Sequence, residues 1–499
     1  MRALWGLKML KRSSVLASVA LFALAAVAAP VSAETLSDAI ALAYRTNPTL
    51  LAQRANQRAL DESVPQARAG LRPTISVSAD VDYSRADTPA GVVETDTLGV
   101  GIGLSQNLYT GGRVGHAIGA AEANVLAGRE QLRGVEQAVL ASVIQAYVDV
   151  RRDMEILTIR QDNLAVLRRQ LDEADARFEV GEITRTDVAQ AQARLAQSEA
   201  DLAQAQAQLS VSRAAYAAVV GQAPTNLEAP VALPGVPTDF DSALDVGLVE
   251  NPAVRGAEFA LRAAEARVAA ARSEYLPSVR ATASYGGSSD LSNFDLTDRT
   301  AFTAGASLSV PLFTGGLNRS RVAQALETAN AAQIDLEGQR RGVLQDVSSA
   351  YAQLVSARSS VAAGEQAVRA ASVAAEGVRQ EAQVGLRTTL DVLNQELELR
   401  AAQVNLVSAR RNEYVAQAAV LAAMGRLEGP RLVAAIDAYD AGANAAAVRW
   451  RGALPWDPAI EALDRIAAPP VVPAADAEDA PIDAQLKADT AAAAPSAGD

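Results

Sequence analysis

The residues that could do chemistry in this chain are few, and they sit at turns. Asp187 and Asp391 each open a predicted helix, just after Gly181 and Gly385. A carboxylate in that position accepts from free backbone N–H groups and meets the positive end of the helix dipole. Arg387 lies on the second of these turns, where by itself it reads as a solvated surface charge. His116 is the single histidine, and it falls near the start of a long predicted helix, where a lone imidazole is a surface or packing residue. No Ser-His-Asp set, metal-binding cluster or phosphate loop is evident, so neither an enzyme nor a cofactor is expected. Gly99, Gly101 and Gly103 lie inside a strand-like run and not before a helix, which excludes a nucleotide motif.

The elements that must carry these turns are set by composition and repetition. Hydrophobic residues make up 49% of the 499 residues but aromatics only 4%. An apolar fraction built from Ala, Val and Leu suits close-packed helices. Lys8, Lys11 and Arg12, the apolar run 15–29 and the small-x-small site Val31-Ser32-Ala33 read as a signal peptide over residues 1–33. Those residues hold four of the 45 basic residues and no acid, which leaves 41 against 58 and a net charge near −17. Such a chain repels nucleic acid. With no cysteine there is no disulfide, Cys-ligated zinc or lipidated N-terminal Cys. No later stretch is a convincing membrane helix, so entry into a membrane would have to be by strands.

Landmarks recur at an offset of 204 residues without a gap. Asn47-Pro48 returns as Asn251-Pro252, Pro73 as Pro277, Tyr147 as Tyr351, Gly181 as Gly385 and Gly221 as Gly425. Each copy opens with a helical stretch (35–69, 239–273) that a proline ends. Two strand-like segments follow (74–83 and 97–108; 278–285 and 301–312), with polar loops at 84–96 and 286–300. Ile75, Val77, Ala79 and Val81 alternate with Ser76, Ser78, Asp80 and Asp82, a period of two with one apolar face. Long helices (113–180, 317–384) rise about 100 Å at ~1.5 Å per residue, and shorter ones (184–220, 388–424) return. In the first return helix Val188, Leu195, Leu202, Leu209 and Tyr216 recur every seven residues, with Ala191, Ser198, Ala205 and Ser212 between them. The opening and closing helices together match one long helix, which implies a tall cylinder of helices with strands at one end.

Four amphipathic strands cannot close a barrel, and an open edge in lipid leaves backbone groups unpaired at several kcal/mol each. Copies must therefore share one barrel. Two copies give eight strands, too narrow for a large solute, and three give twelve around an open lumen. Tyr109 and Phe313, at equivalent strand ends, lie in an interfacial aromatic belt or pack under the barrel rim. The alternative is a periplasmic or surface coiled-coil scaffold without a conduit.

At this point the chain resembles the TolC family of outer-membrane efflux and type I secretion proteins. The resemblance covers roughly 35–428. It rests on the duplicated layout, on the strand exits at 107–112 (Asn-Leu-Tyr-Thr-Gly-Gly) and 311–316 (Pro-Leu-Phe-Thr-Gly-Gly), and on the hairpin turns 180–188 and 384–392. It implies a mostly α fold with a small β part. A homotrimer would put a 12-strand β-barrel in outer-membrane lipid and continue it as a long periplasmic α-helical barrel. A periplasmic adaptor and an inner-membrane transporter of ABC or RND type would be the partners. By the same resemblance Asp391 forms a ring in the periplasmic gate, and Arg387 latches to Thr186 and Asp187 of the neighbouring hairpin. Gly181, Gly385 and Leu386 would touch the adaptor at the hairpin tip. Two positions depart from the family pattern: Asn394 stands where a second aspartate is usual, and Ala382 where a tyrosine assists the latch. The expected organisation is a leader (1–33), a first repeat (34–221), an equatorial linker (222–240) and a second repeat (241–428). An equatorial C-terminal segment (429–465) and a disordered acidic Ala/Pro tail (466–499) follow.

Overall fold

The computed structural model describes residues 34–291, 295–296, 299–473 and 487. The leader and most of the expected tail lie outside the described residues. The first repeat opens with α1 (Leu36–Thr46), α2 (Pro48–Asp61) and α3 (Ser63–Arg68). The expected single opening helix is thus broken. Asn47 leaves the helical region, and its Oδ1 accepts from the N–H groups of Thr49 and Leu50 to start α2. β1 (Thr74–Thr88), β2 (Gly91–Tyr109), α4 (Arg113–Glu179) and α5 (Arg185–Val220) follow. The second repeat gives α6 (Phe240–Glu250), α7 (Pro252–Ser273), β3 (Ser278–Asp290), β4 (Arg299–Ser309), α8 (Leu317–Gln383) and α9 (Thr389–Ala423).

The repeat extends to single atoms. Asn47 Nδ2 donates to Val219 O (2.9 Å), and Asn251 Nδ2 donates to Ala423 O (2.8 Å), 204 residues on. Tyr147 donates to Glu34 O and Tyr351 to Thr238 O at the same offset. These tyrosines stand in the two apolar cores that girdle the helices at mid-height. One core centres on Leu140, Ile144, Tyr147 and Tyr216, and the other on Leu244, Val347 and Leu354. Burial raises the Tyr414 hydroxyl beside the first core to about 12.

In the lower half α5 packs on α4, α4 on α9 and α9 on α8. In the upper half α2 and α3 pack on α4, α4 on α7 and α7 on α8. The row therefore ends on α8 at one side and on α5 or α2–α3 at the other. The predicted seam of α5 forms in part: Ala191, Ser198, Ala205 and Ser212 are buried with Val188, Leu209 and Tyr216, while Leu195 and Leu202 are only half-buried in the single chain. Small residues there let the helices approach closely.

The four strands form one antiparallel sheet in the order β1-β2-β3-β4. The expected polar loop 84–96 is instead a longer hairpin. β1 and β2 stay paired out to Thr88↔Gly91, with Arg85 and Glu94 opposite one another and ion-paired at 2.8 Å. Their polar side chains had masked the pairing, and Gly91 (φ +122) makes the turn.

The chain after Met424 does not stay at the belt. Gly429 N donates to Glu136 on α4, Asn444 reaches Asp61 on α2, and α10 (Gly429–Leu432) and α11 (Ala443–Val448) lie along the way. α12 (Asp457–Asp464) ends at the strand exit, where Tyr109 donates to Ile466 O. This segment climbs from Glu136 to Gly115 along α4, roughly 30 Å at ~1.5 Å per residue. Buried Arg68 ties it by pairing with Glu461 (3.2 Å) and lying over the Trp450 ring (4.6 Å). Arg54 is held between the rings of Tyr44 (4.5 Å) and Tyr439 (4.6 Å).

Candidate functional site: the membrane sheet and the hairpin tips

One face of the sheet is apolar across all four strands. Ile75, Val77, Ala79 and Val81 stand opposite Leu104, Ile102, Val100 and Leu98. Ile102 and Leu104 face Tyr285 and Ala283, and these face Phe302 and Ala304. Val77 (73%), Ile75 (67%) and Phe302 (70%) are largely exposed in the single chain. The other face carries Ser, Thr, Gly and Asp, with Asp80 folded over Gly99. A face this apolar suits lipid, and the small polar face suits a water-filled lumen. Among the described residues both edges, β1 and β4, lack a partner strand. No described helix is long and apolar enough to cross a membrane.

At the opposite end, about 100 Å down α4 at ~1.5 Å per residue, are the two hairpin tips. Gly181 (φ +80) and Gly385 (φ +79) make the turns, in a conformation a side chain would strain. Val180 (72%), Val384 (72%) and Leu386 (74%) stand bare beside them. Each return helix then starts with a capping box. Asp187 Oδ2 accepts from Thr184 N (2.9 Å) and Thr184 Oγ1 (2.8 Å), and Asp391 Oδ2 accepts from Thr388 N (3.0 Å) and Oγ1 (2.8 Å). The backbone N–H, then the hydroxyl, hold both carboxyls below the usual carboxylate range.

Arg387 does not meet Thr186 or Asp187 of its own chain. Its Nε donates to Glu381 Oε2 at 2.8 Å within the same hairpin. That hydrogen bond, with the Glu381 charge, pushes the guanidinium pKa up. Thr186 is exposed. Arg387 also lines a 420 Å³ cleft between α4 and the α8–α9 tip, with Arg169, Arg177 and Arg379. Two sets of contacts near the tip escaped the sequence reading. Arg194 Nη2 on α5 donates to Asn394 Oδ1 on α9 (3.2 Å). Glu396, 1% exposed, takes both Arg379 and Arg400. Only its i, i+4 spacing to Arg400 could have signalled this. Among the described residues no cluster of His, Cys, Asp or Glu is placed to hold a metal ion.

An amphipathic sheet joined to a rod of long helices is the architecture of an outer-membrane channel subunit. The family model for outer membrane efflux proteins matches residues 39–222 and 244–426, one span in each repeat. The chain is 37% identical to the outer membrane efflux protein BepC of Brucella suis over 399 residues, covering 80% of this chain and 87% of that one. It is 30% identical to the outer membrane protein TolC of Vibrio cholerae over 413 residues, covering 81% and 94%. The outer membrane channel CmeC of Campylobacter jejuni shares the fold at a TM-score of 0.71 and 16% identity, covering 82% and 88%. The chain belongs to the outer membrane efflux protein family. It is an outer-membrane export channel with a periplasmic tunnel, and the family is one of channels and not of enzymes.

Proposed function

We propose that three copies of this chain assemble into a passive duct, a 12-strand barrel in the outer membrane over a 12-helix periplasmic tunnel. The observation that carries this reading is the continuous apolar sheet face between two unpaired edges. In lipid each unpaired edge group costs several kcal/mol, so the edges must meet edges of other copies. Twelve strands leave a lumen that eight would fill.

The tunnel narrows at the tips. Three Asp391 carboxylates on one axis make a negative constriction that favours cations, while each also caps its own helix. Arg387 turns from Glu381 towards Thr186 and Asp187 of the adjacent copy to latch the closed state. The bare residues Val180, Gly181, Val384, Gly385 and Leu386 meet a periplasmic adaptor coupled to an inner-membrane transporter, which supplies the energy. Cargo then moves down its own gradient through the duct to the outside.

Planar-bilayer recording tests the reading. Purified protein added to a bilayer should give discrete, cation-selective conductance steps. A preparation that inserts no current and stays single in detergent would leave only a scaffold.

A further inference from the structure

We infer that this chain is cut between Ala33 and Glu34 and that the amino group so freed is a structural cation, the buried partner of the Glu34 carboxylate. Glu34 is 7% exposed and is held through both its main chain and its side chain. Its N–H donates to Asn226 O (2.8 Å), its carbonyl accepts from Glu228 N (3.1 Å) and from the Tyr147 hydroxyl (2.9 Å), and it forms a parallel bridge with Leu227. The next residue, Thr35, caps α1. The Glu34 side chain reaches into the mid-height core, where Oε1 accepts from the Tyr216 hydroxyl and from Gln222 Nε2 (2.8 Å). Oε2 is buried as well and has no hydrogen-bond partner among the described residues.

Burying a carboxylate without a positive partner is strongly unfavourable. Tyr216 and Gln222 supply neutral donors. The nearby Arg151 spends Nη1 on Leu227 O (3.1 Å) and Nη2 on Glu155 (2.8 Å). Glu228 and Asp38 add negative charge around the same two tyrosines. The cation that fits without another side chain is the α-ammonium of Glu34 itself. While Ala33 is attached, this nitrogen is a neutral amide with one hydrogen, already given to Asn226 O. Hydrolysis adds one water across the Ala33–Glu34 bond. It leaves a carboxylate on Ala33 and an ammonium with three hydrogens on Glu34. One hydrogen keeps the Asn226 bond, and the others are free for Oε2, which the same residue's side chain brings within reach. The catalyst is a leader-removing protease outside this chain, which the small-x-small site at 31–33 fits. The second repeat is the contrast. At the equivalent place, 204 residues on, Tyr351 donates to Thr238 O as Tyr147 does to Glu34 O. There the chain runs on without a break, and the residue is a neutral, exposed threonine. The buried carboxylate stands in the repeat whose first residue the cut creates.

Lys487 is the one lysine after residue 33, so Lys487→Arg leaves the α-amine as the single primary amine of the cut chain. The intact mass of protein extracted from outer membranes should give a start at Glu34. Acylation of that amine by an N-hydroxysuccinimide ester should run at least about tenfold slower in the folded protein than in urea, because a buried amine reacts only when its segment opens. Both measurements are made with the Glu34 site intact. Glu34→Gln keeps the size of the side chain and an acceptor for Tyr216 but removes the charge. A serine inserted between Ala33 and Glu34, with the cut after Ala33 checked by mass, moves the amine one residue outward and keeps the carboxylate. Both variants should lower the melting temperature by several degrees and speed acylation towards the rate of the unfolded chain. A start at any other residue overturns the inference. So does an amine that reacts equally fast folded and unfolded, or a pair of variants that melt with the parent.

Discussion

Arg194 on α5 donates from Nη2 to Asn394 Oδ1 on α9 across 3.2 Å, a direct side-chain link between the two hairpins of one chain near the tip. The pair fastens the first hairpin to the second inside α9, three residues past the Asp391 that caps its start. An aspartate at 394 would have made a salt bridge with Arg194 and a second ring of charge. The amide instead gives a neutral, partly solvated tie, worth little in one copy but repeated three times in the proposed trimer. Arg194→Ala should therefore raise the resting conductance of the closed duct several-fold, and Asn394→Asp should lower it. Single-channel recording of both variants decides this. An unchanged closed state in both would take the pair out of the gate.

Asp391 caps α9, and one substitution cannot separate that duty from the proposed gate ring. Asp391→Asn keeps an acceptor for Thr388 and removes the charge, while Asp391→Ala removes both. If the ring governs cation block, the two variants should lose block by multivalent cations to the same extent. Only the alanine should also speed amide exchange at the start of α9. The pH dependence of the cap has a definite sign. The Thr388 N–H and hydroxyl depress the Asp391 carboxyl. The cap's contribution is thus complete above the ordinary carboxylate range and is lost as pH falls through the depressed value. Exchange protection at Thr388 should survive at pH 5 and disappear only in stronger acid. Loss of protection between pH 7 and pH 5 would contradict it.

Arg387 rests on Glu381 in the single chain, and that contact competes with any latch to a neighbour. Glu381→Gln weakens the competitor and should tighten the resting state. Arg387→Ser removes the proposed latch and should loosen it. Opposite shifts in closed-state leak, each a few-fold in bilayer recordings, are expected. Leak that moves the same way in both would mean that Arg387 acts only within its own hairpin.

How much of this was legible depended on how local the signal was. α4 was expected over 113–180 and forms over Arg113–Glu179, because Gly112 and Gly181 mark its ends and nothing within it breaks a helix. The small-residue line of the α5 seam was legible for the same reason, since Ala191, Ser198, Ala205 and Ser212 are all buried at the seven-residue spacing. The break at Asn47-Pro48 was visible as residues, yet its role needed the distant carbonyl of Val219. Strand pairing beyond Tyr83 was hidden because Ser84, Arg85 and Asp87 carry no apolar alternation, and only cross-strand partners such as Glu94 hold them. The tip caps could be read from Thr-x-x-Asp spacing. The Arg194–Asn394 tie could not, because its partners come together only when two hairpins 200 residues apart pack side by side.

The C-terminal segment was the least legible part, and it carries the sharpest stability prediction. α4 begins at Gly112, which has no side chain to cap the free N–H groups. Asp464, fully buried at the end of α12, supplies the cap from elsewhere in the chain. Its Oδ1 accepts from Thr110 N (2.5 Å) and Thr110 Oγ1 (2.8 Å), and its Oδ2 from Gly115 N (3.4 Å). Among the described residues the equivalent exit in the second repeat has no such guest, and Leu312 and Phe313 there are 92% and 90% exposed. Asp464→Ala strands buried donors at the first exit, a loss of about 2–4 kcal/mol for one or two unsatisfied groups. Asp464→Asn keeps one acceptor and should cost roughly half as much. Both should lower the melting temperature, alanine more, and expose residues 449–466 to protease before the helical tunnel is cut. Because the clamp holds only the first repeat, Thr314→Ala at the bare second exit should leave the melting temperature within about 1 °C of the parent, consistent with a surface change worth under ~0.5 kcal/mol. Equal losses at Thr110→Ala and Thr314→Ala would show that the segment does not clamp the exit in solution.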